Sequence, residues 1–284
     1  MRFSALTLVS ASALFALAPA TASGQSFAGG SIGPGSDPHA PGSTELGFRV
    51  NGARIAVRGV AVLQCKGGRT SEVEGRGSGP LNADGTFSVT FTRRRLQPGA
   101  TRGFKRKVVV TGQVQGGQIT GRLEATATGG RVRGCAGTFD YVARTAPALG
   151  PDAAPPPAGG TLIGITSGKG GPFAFNLRLS ADAKRITHLV TGARYTCRRI
   201  RRYHETNYSP AIRIADDGTF RYVERFKIRY TDAVDRVTVT TTGRFVNGGA
   251  TGTWKARVVA RSRATGRVID RCATGRVNWS AATV

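Results

Sequence analysis

Acidic side chains are scarce in this chain: 16 Asp and Glu stand against 41 Lys and Arg, a formal charge of +25. A balance this one-sided brings self-repulsion, solubility and attraction to polyanions. The dominance of Arg over Lys, with abundant Ala and Gly, agrees with a GC-rich genome, but codon bias does not account for the missing acids. Histidine is nearly absent too, with three in the chain, His39, His188 and His204. No H-E-x-x-H helix, G-x-S-x-G elbow or glycine-rich phosphate loop occurs, so the sequence signatures of zinc proteases, serine hydrolases and nucleotide binders are missing. The four cysteines, Cys65, Cys135, Cys197 and Cys272, are too dispersed for the close ligand pairs of a zinc site. No catalytic residue, metal ligand or cofactor is expected, and the reading is of a protein that is not an enzyme.

Long apolar runs are missing with one exception. Arg2 is the only charge before Asp37, and Phe3 to Ala18 are mostly apolar. Ala18-Pro19-Ala20 and Ala20-Thr21-Ala22 follow as small-residue cleavage sites. A short basic region, an apolar stretch too short to span a bilayer comfortably and an A-x-A site predict a signal peptide over 1–22. The mature protein is then expected to be secreted, extracellular or wall-associated, and an even number of cysteines in such a chain reads as disulfides.

What remains divides in two. Residues 23–44 are Gly, Ser, Pro and Ala with almost no large apolar side chain, which predicts a flexible leader. Residues 146–160, with Pro155-Pro156-Pro157, predict a linker. The segments 45–145 and 161–284 repeat one another. Thr111-Gly112 through Thr120-Gly121 aligns without a gap to Thr242-Gly243 through Thr251-Gly252. Asp84-Gly85-Thr86-Phe87 recurs as Asp217-Gly218-Thr219-Phe220, Cys65 as Cys197, Cys135 as Cys272, and Tyr141 as Trp279. Each copy carries one early and one late cysteine, so the repeat selects Cys65–Cys135 and Cys197–Cys272. Closing a loop of about 70 residues stabilises a domain by roughly 4 kcal/mol in the chain-entropy model.

Period-two alternation is legible in Phe87 to Phe91, Ile119 to Ala127, Phe173 to Leu179, Phe220 to Tyr230 and Trp254 to Ala260, with Asp-Gly, Gly-Gly and Asn-Gly pairs between strands. The expectation is an all-β protein of two tandem antiparallel sandwiches or barrels, six to eight strands each, with one disulfide apiece. One sheet continuous across both copies is the alternative.

In copy two, Asp217-Gly218, Phe220, Gly243, Phe245, Gly252, Trp254, Cys272, Gly275, Trp279 and Ala281 follow a pattern D-G-x-F, G-x-F, C-x-x-G-x-x-x-W-x-A. This resembles the secreted β-repeat proteins of high-GC actinobacterial genomes. Copy one departs from it at Val114, Leu123 and Tyr141. The resemblance implies secretion and an all-β domain, and it carries over no functional residues.

Candidate functional residues are cationic. Arg221, Arg225, Lys227 and Arg229 share one strand face, and Lys255, Arg257, Arg261 and Arg263 another, because side chains two apart on a strand point the same way. If those strands are neighbours, the ladders merge into one positive surface. A secondary cluster, Arg198, Arg199, Arg201 and Arg202, follows Cys197. The partners such faces suit are an anionic wall polymer, glycan or lipid head groups; nucleic acid is not the expected partner of an exported chain. The alternatives are a structural or protein-interaction module whose charge merely solvates it, and an extracellular hydrolase. Glu224 has the inward parity of Phe220, Tyr222 and Phe226, so it is either a buried acid with a raised pKa or, as the preferred reading, the site of a bulge that turns it outward or of an arginine partner.

Overall fold

Alternating apolar and polar residues commit both halves to strands, and the chain is all-β. The computed structural model describes residues 24–33, 41–93, 105–129, 132–167, 171–199, 202–209 and 211–284, with backbone alone for 93, 132–133 and 202–209. Residues 1–22, where a signal peptide is expected, lie outside the described residues, as do His39, Arg201 and the arginines at 94–95 and 102. Copy one comprises β1 (Gln25–Gly30), β2 (Thr44–Asn51), β3 (Arg54–Gln64), β4 (Thr70–Pro80), β5 (Thr86–Arg93), β6 (Lys105–Gln115), β7 (Gln118–Gly129) and β8 (Val132–Arg144). Copy two comprises β9 (Thr161–Thr166), β10 (Phe173–Leu179), β11 (Arg185–Cys197), β12 (Arg202–Ser209), β13 (Ile212–Arg213), β14 (Thr219–Arg229), β15 (Ala233–Val246), β16 (Gly249–Ser262), β17 (Val268–Ala273) and β18 (Val277–Thr283).

Each copy is an antiparallel meander that curls back on itself. Copy one runs β4-β3-β2-β1-β8-β7-β6-β5, so its last strand returns to its first. A second contact of β8, with β3 at Gln64↔Ala136, pinches the sheet where Cys65 and Cys135 are joined. Copy two follows the same path, with its last strand broken into β17 and β18 by Thr274-Gly275-Arg276. There β17 pairs with both β16 and β11, so β9, β10, β11, β17, β16 and β18 close a six-stranded barrel. Cys197 and Cys272 are directly opposed partners in that closure. Both predicted disulfides are present.

The remaining seam, between β4 and β5, has an isolated bridge at Leu81↔Phe87. Inward positions of β4 after Val73 are Gly75, Gly77 and Gly79; a Cβ on Gly75 would lie 2.1 Å from the Phe91 ring. Glycine therefore lets β5 lay Phe91 and Val89 against bare backbone, closing copy one by apolar contact. The core of each copy is its inward face. The aromatic near the C-terminal end of each repeat anchors it: Tyr141 stacks on Phe48 at 5.6 Å and Trp279 on Phe175 at 4.0 Å.

Two boundaries differ from the sequence expectation. The supposed leader contains β1, which pairs with β2 and β8 and buries Phe27 completely. Domain one thus begins twenty residues before Glu45, at Gln25. Its small residues have a packing role: a Cβ on Gly29 would lie 2.1 Å from the Val142 carbonyl and 2.7 Å from Ile163 of copy two. Composition that reads as disorder is here a close approach. The linker, for its part, is tied to copy two, with the Gly150 amide donating to Asn247 (3.0 Å) and Ala153 bridging Val246.

Among the described residues the copies do not share a sheet. They pack face to face through β1 and β2 against β9, β10 and β11, strands buried on both faces. At the centre Glu45 is buried; its carboxylate pairs with Arg58 at 3.0 Å and accepts from the Ala174 amide at 3.1 Å. The Arg58 guanidinium lies 4.0 Å over the Phe173 ring. Arg178 donates to the Ile32 and Gly33 carbonyls at 2.8 and 3.0 Å, and Arg49 to that of Gly171. Clefts of about 750 and 440 Å³ flank this contact, the larger bordered by Thr111, Thr120 and Arg122 of copy one and Thr161 of copy two, the smaller by Asn278 and Ser280.

Candidate anion-binding face

The cationic ladders lie on β14 and β16, which are not neighbours: β15 runs between them. Unbroken registers align all three strands. Arg221 faces Thr242 and then Thr253. Val223 faces Thr240 and then Lys255. Arg225 faces Thr238 and then Arg257. Lys227 faces Arg236 and then Val259, and Arg229 faces Val234 and then Arg261. The ladders therefore do form one surface, with a column of β15 residues as its floor. One further strand adds Arg271, opposite Val259. Sequence reasoning missed Arg236, Arg244 and Arg271; alternation of Arg and Thr along β15 was the signal that could have found the first two.

Why this face is so positive follows from how the acids are sorted. Outward positions on β14 through β17 hold no carboxylate, while Glu224, Asp235 and Asp270 all take inward parity. Arg221, Arg225, Lys227, Arg229, Arg236, Lys255, Arg257 and Arg271 are exposed and make no ion pair among the described residues. Like charges directly opposite on neighbouring strands cost a few tenths to 1 kcal/mol; here that arrangement occurs at Lys227↔Arg236. Elsewhere threonine or valine separates the cations, so the surface concentrates charge at small cost in stability.

Not every predicted cation is available. Arg261 donates to the Gly266 carbonyl at 2.9 Å, and Arg263, beyond the end of β16, to those of Tyr230 and Thr231 at 3.2 and 3.3 Å. Both tie down loops. Arg244 reaches the Pro151 carbonyl in the linker at 3.5 Å. In the secondary cluster, Arg198 and Arg199 have exposed side chains, and their amides donate to the buried Asp270 carboxylate at 3.1 and 3.2 Å. The structure places the backbone of Arg202 opposite Thr196, at the far edge of the sheet from β14.

Glu224 departs from the preferred expectation of a bulge or an arginine partner and matches the other, a buried acid. β14 pairs with β15 without a bulge, Glu224 opposite Val239, and its Oε2 is buried without a hydrogen-bond partner among the described residues. Inward position follows from the unbroken register, and desolvation pushes its carboxyl above the ordinary range. Tyr222 beside it is raised by burial and by the Glu224 charge. Neither residue lines either cleft described above. His188 is buried on β11 opposite Arg178, with Nδ1 3.5 Å from the Thr187 hydroxyl. Cys197, Asp270 and Cys272 bring ligand-type atoms within 4.8 Å of one another, yet the sulfurs are joined in the disulfide and Asp270 is taken up by backbone amides.

The structure thus brings together an uncancelled cationic face on one wing of copy two. Comparison with protein-family models, curated proteins and solved structures finds no match. The surface chemistry alone must carry the functional reading.

Proposed function

We propose that this is an exported, non-enzymatic binding protein of the cell envelope that contacts anionic surface polymers through the outward face of β14, β15, β16 and β17. The observation that carries the reading is the sorting of charge: eight exposed cations without an ion pair among the described residues, and every carboxylate of those strands on the other side of the sheet. Arginine predominates among them, and its planar fork suits phosphate and sulfate oxygens. Two disulfides accord with an oxidising compartment. No helix among the described residues is long and apolar enough to cross a membrane.

The test is binding of the purified protein to a polyol-phosphate wall polymer, a sulfated glycan, DNA and anionic vesicles, at low and near-physiological salt. Replacement of Arg225, Lys227, Arg236 and Arg257 by Ser is expected to weaken binding and to lower the slope of log K against log salt by roughly one for each phosphate that is no longer neutralised. Unchanged affinity and slope in that variant overturn the reading.

A further inference from the structure

Resting on that reading, we infer that the face is built for one class of polyanion: a linear polyol-phosphate chain lying along β15. The floor of the face is a run of small hydroxyl side chains, Thr238, Thr240 and Thr242, with Thr253 alongside. Long cationic side chains stand on both sides, Arg221 and Arg225 on β14, Lys255 and Arg257 on β16. Backbones two strands apart are about 10 Å from each other. That makes a shallow groove wide enough for one extended polymer strand and too narrow to seat a duplex.

The charge is metered along the groove. At each two-residue step of β15, about 7 Å, the row contains at least one cation: Arg229 at Val234, Lys227 at Arg236, Arg225 and Arg257 at Thr238, Lys255 at Thr240, and Arg221 at Thr242. A phosphodiester backbone places its charges at a comparably short and regular interval. The hydroxyls select further. Thr242 and Thr253 bond each other at 2.8 Å, whereas the Thr238 and Thr240 hydroxyls make no hydrogen bond among the described residues, and both residues are half-buried. Each is free to donate. A tetrahedral phosphate has two non-bridging oxygens, so it can accept from a threonine on the floor and an arginine on the wall together. The wall cations have this second donor beside them at Thr238 and Thr240, which a purely electrostatic surface would not need. Aromatic side chains are missing from the outward positions of these strands; Tyr222, Phe226 and Tyr230 take the opposite parity, and Phe226 (37 % exposed) and Tyr230 (49 % exposed) reach solvent on the other side of the sheet. Without a platform for base stacking, a plain polyol phosphate fits better than a single-stranded nucleic acid.

The experiment compares poly(glycerol phosphate), poly(glutamate) of similar charge and a single-stranded oligonucleotide on three proteins: the native chain, Thr238→Val with Thr240→Val, and Thr238→Ser with Thr240→Ser. Valine preserves shape and charge. The expected result is roughly tenfold weaker binding of poly(glycerol phosphate) by the Val variant, recovery in the Ser variant, and a smaller loss for poly(glutamate), whose carboxylates also accept hydrogen bonds but hang on flexible side chains rather than in the polymer backbone. Equal loss for both polymers, or no loss for either, overturns the phosphate assignment; the cationic face then stands or falls on the Arg and Lys replacements alone. Tighter binding of the oligonucleotide than of poly(glycerol phosphate) by the native chain also overturns it, in favour of nucleic acid.

Discussion

At the scale of single residues, the inward carboxylates are the most informative. Glu224 occupies the position held in copy one by Phe91, as Phe220 repeats Phe87 and the two strands keep the same parity. Placing an acid there costs desolvation, which raises its proton affinity in the folded state. The linkage follows in sign: the native protein binds the proton more tightly than the unfolded chain, so stability is fullest below the unfolded carboxyl range and falls as pH rises through the higher folded value. Asp235 shifts in the same direction, also by desolvation. Replacing Glu224 by Gln is therefore expected to raise stability near neutrality and to flatten its pH dependence from the ordinary carboxyl range, about pH 4, upward. Urea midpoints measured across that range check it; a Gln variant less stable than the native chain at neutral pH would show that the charge has a favourable partner.

Among elements, the repeated Thr-Gly steps explain themselves once strands are paired. Gly112 faces Gly121, and Gly243 faces Gly252. A Cβ on Gly252 would fall 2.0 Å from the Thr242 carbonyl and 2.7 Å from the Trp279 ring; one on Gly121 would fall 2.0 Å from the Thr111 carbonyl and 2.8 Å from the Tyr141 hydroxyl. Opposed glycines let the final aromatic of each repeat lie across bare backbone, where the Tyr141 hydroxyl reaches the Thr111 carbonyl at 3.0 Å. Gly252→Ala is accordingly expected to destabilise copy two by about 2 kcal/mol, read as a lowered midpoint of thermal or urea unfolding. A variant within a few tenths of the native value would mean that the strands separate more easily than this packing implies.

For the whole molecule, the contact between copies decides which surfaces are free. Glu45 is the pivot: it is buried, paired with Arg58 and bonded to a backbone amide of the other copy. A pair of this kind adds little over an apolar contact, but removing one partner strands the other at a cost of about 3 kcal/mol. Glu45→Ala is expected to lower stability by that order and to split a single unfolding transition into two, seen by calorimetry. A single transition at the native midpoint would show that apolar packing of β1 and β2 on β9 and β10 suffices. The contact uses strands far from β14 in the sheet order, which leaves the cationic wing on an unshared face.

The chain's own pattern of residues determined the all-β class, the duplication, both disulfide pairings and the parity of each ladder, because these depend on local alternation and on order along the chain. Pairing partners are another matter. Whether Arg225 and Arg257 share a surface depends on β15 lying between their strands, a relation of residues far apart in sequence. The role of β1 was hidden for the same reason: Ala28, Gly29 and Gly30 look like a disordered leader until copy two packs against them. Glu224 misled because parity named its side of the sheet, while its partners depended on strands contributed by the rest of the barrel. Side-chain direction is a local property of the strand; what a side chain meets is settled by tertiary packing.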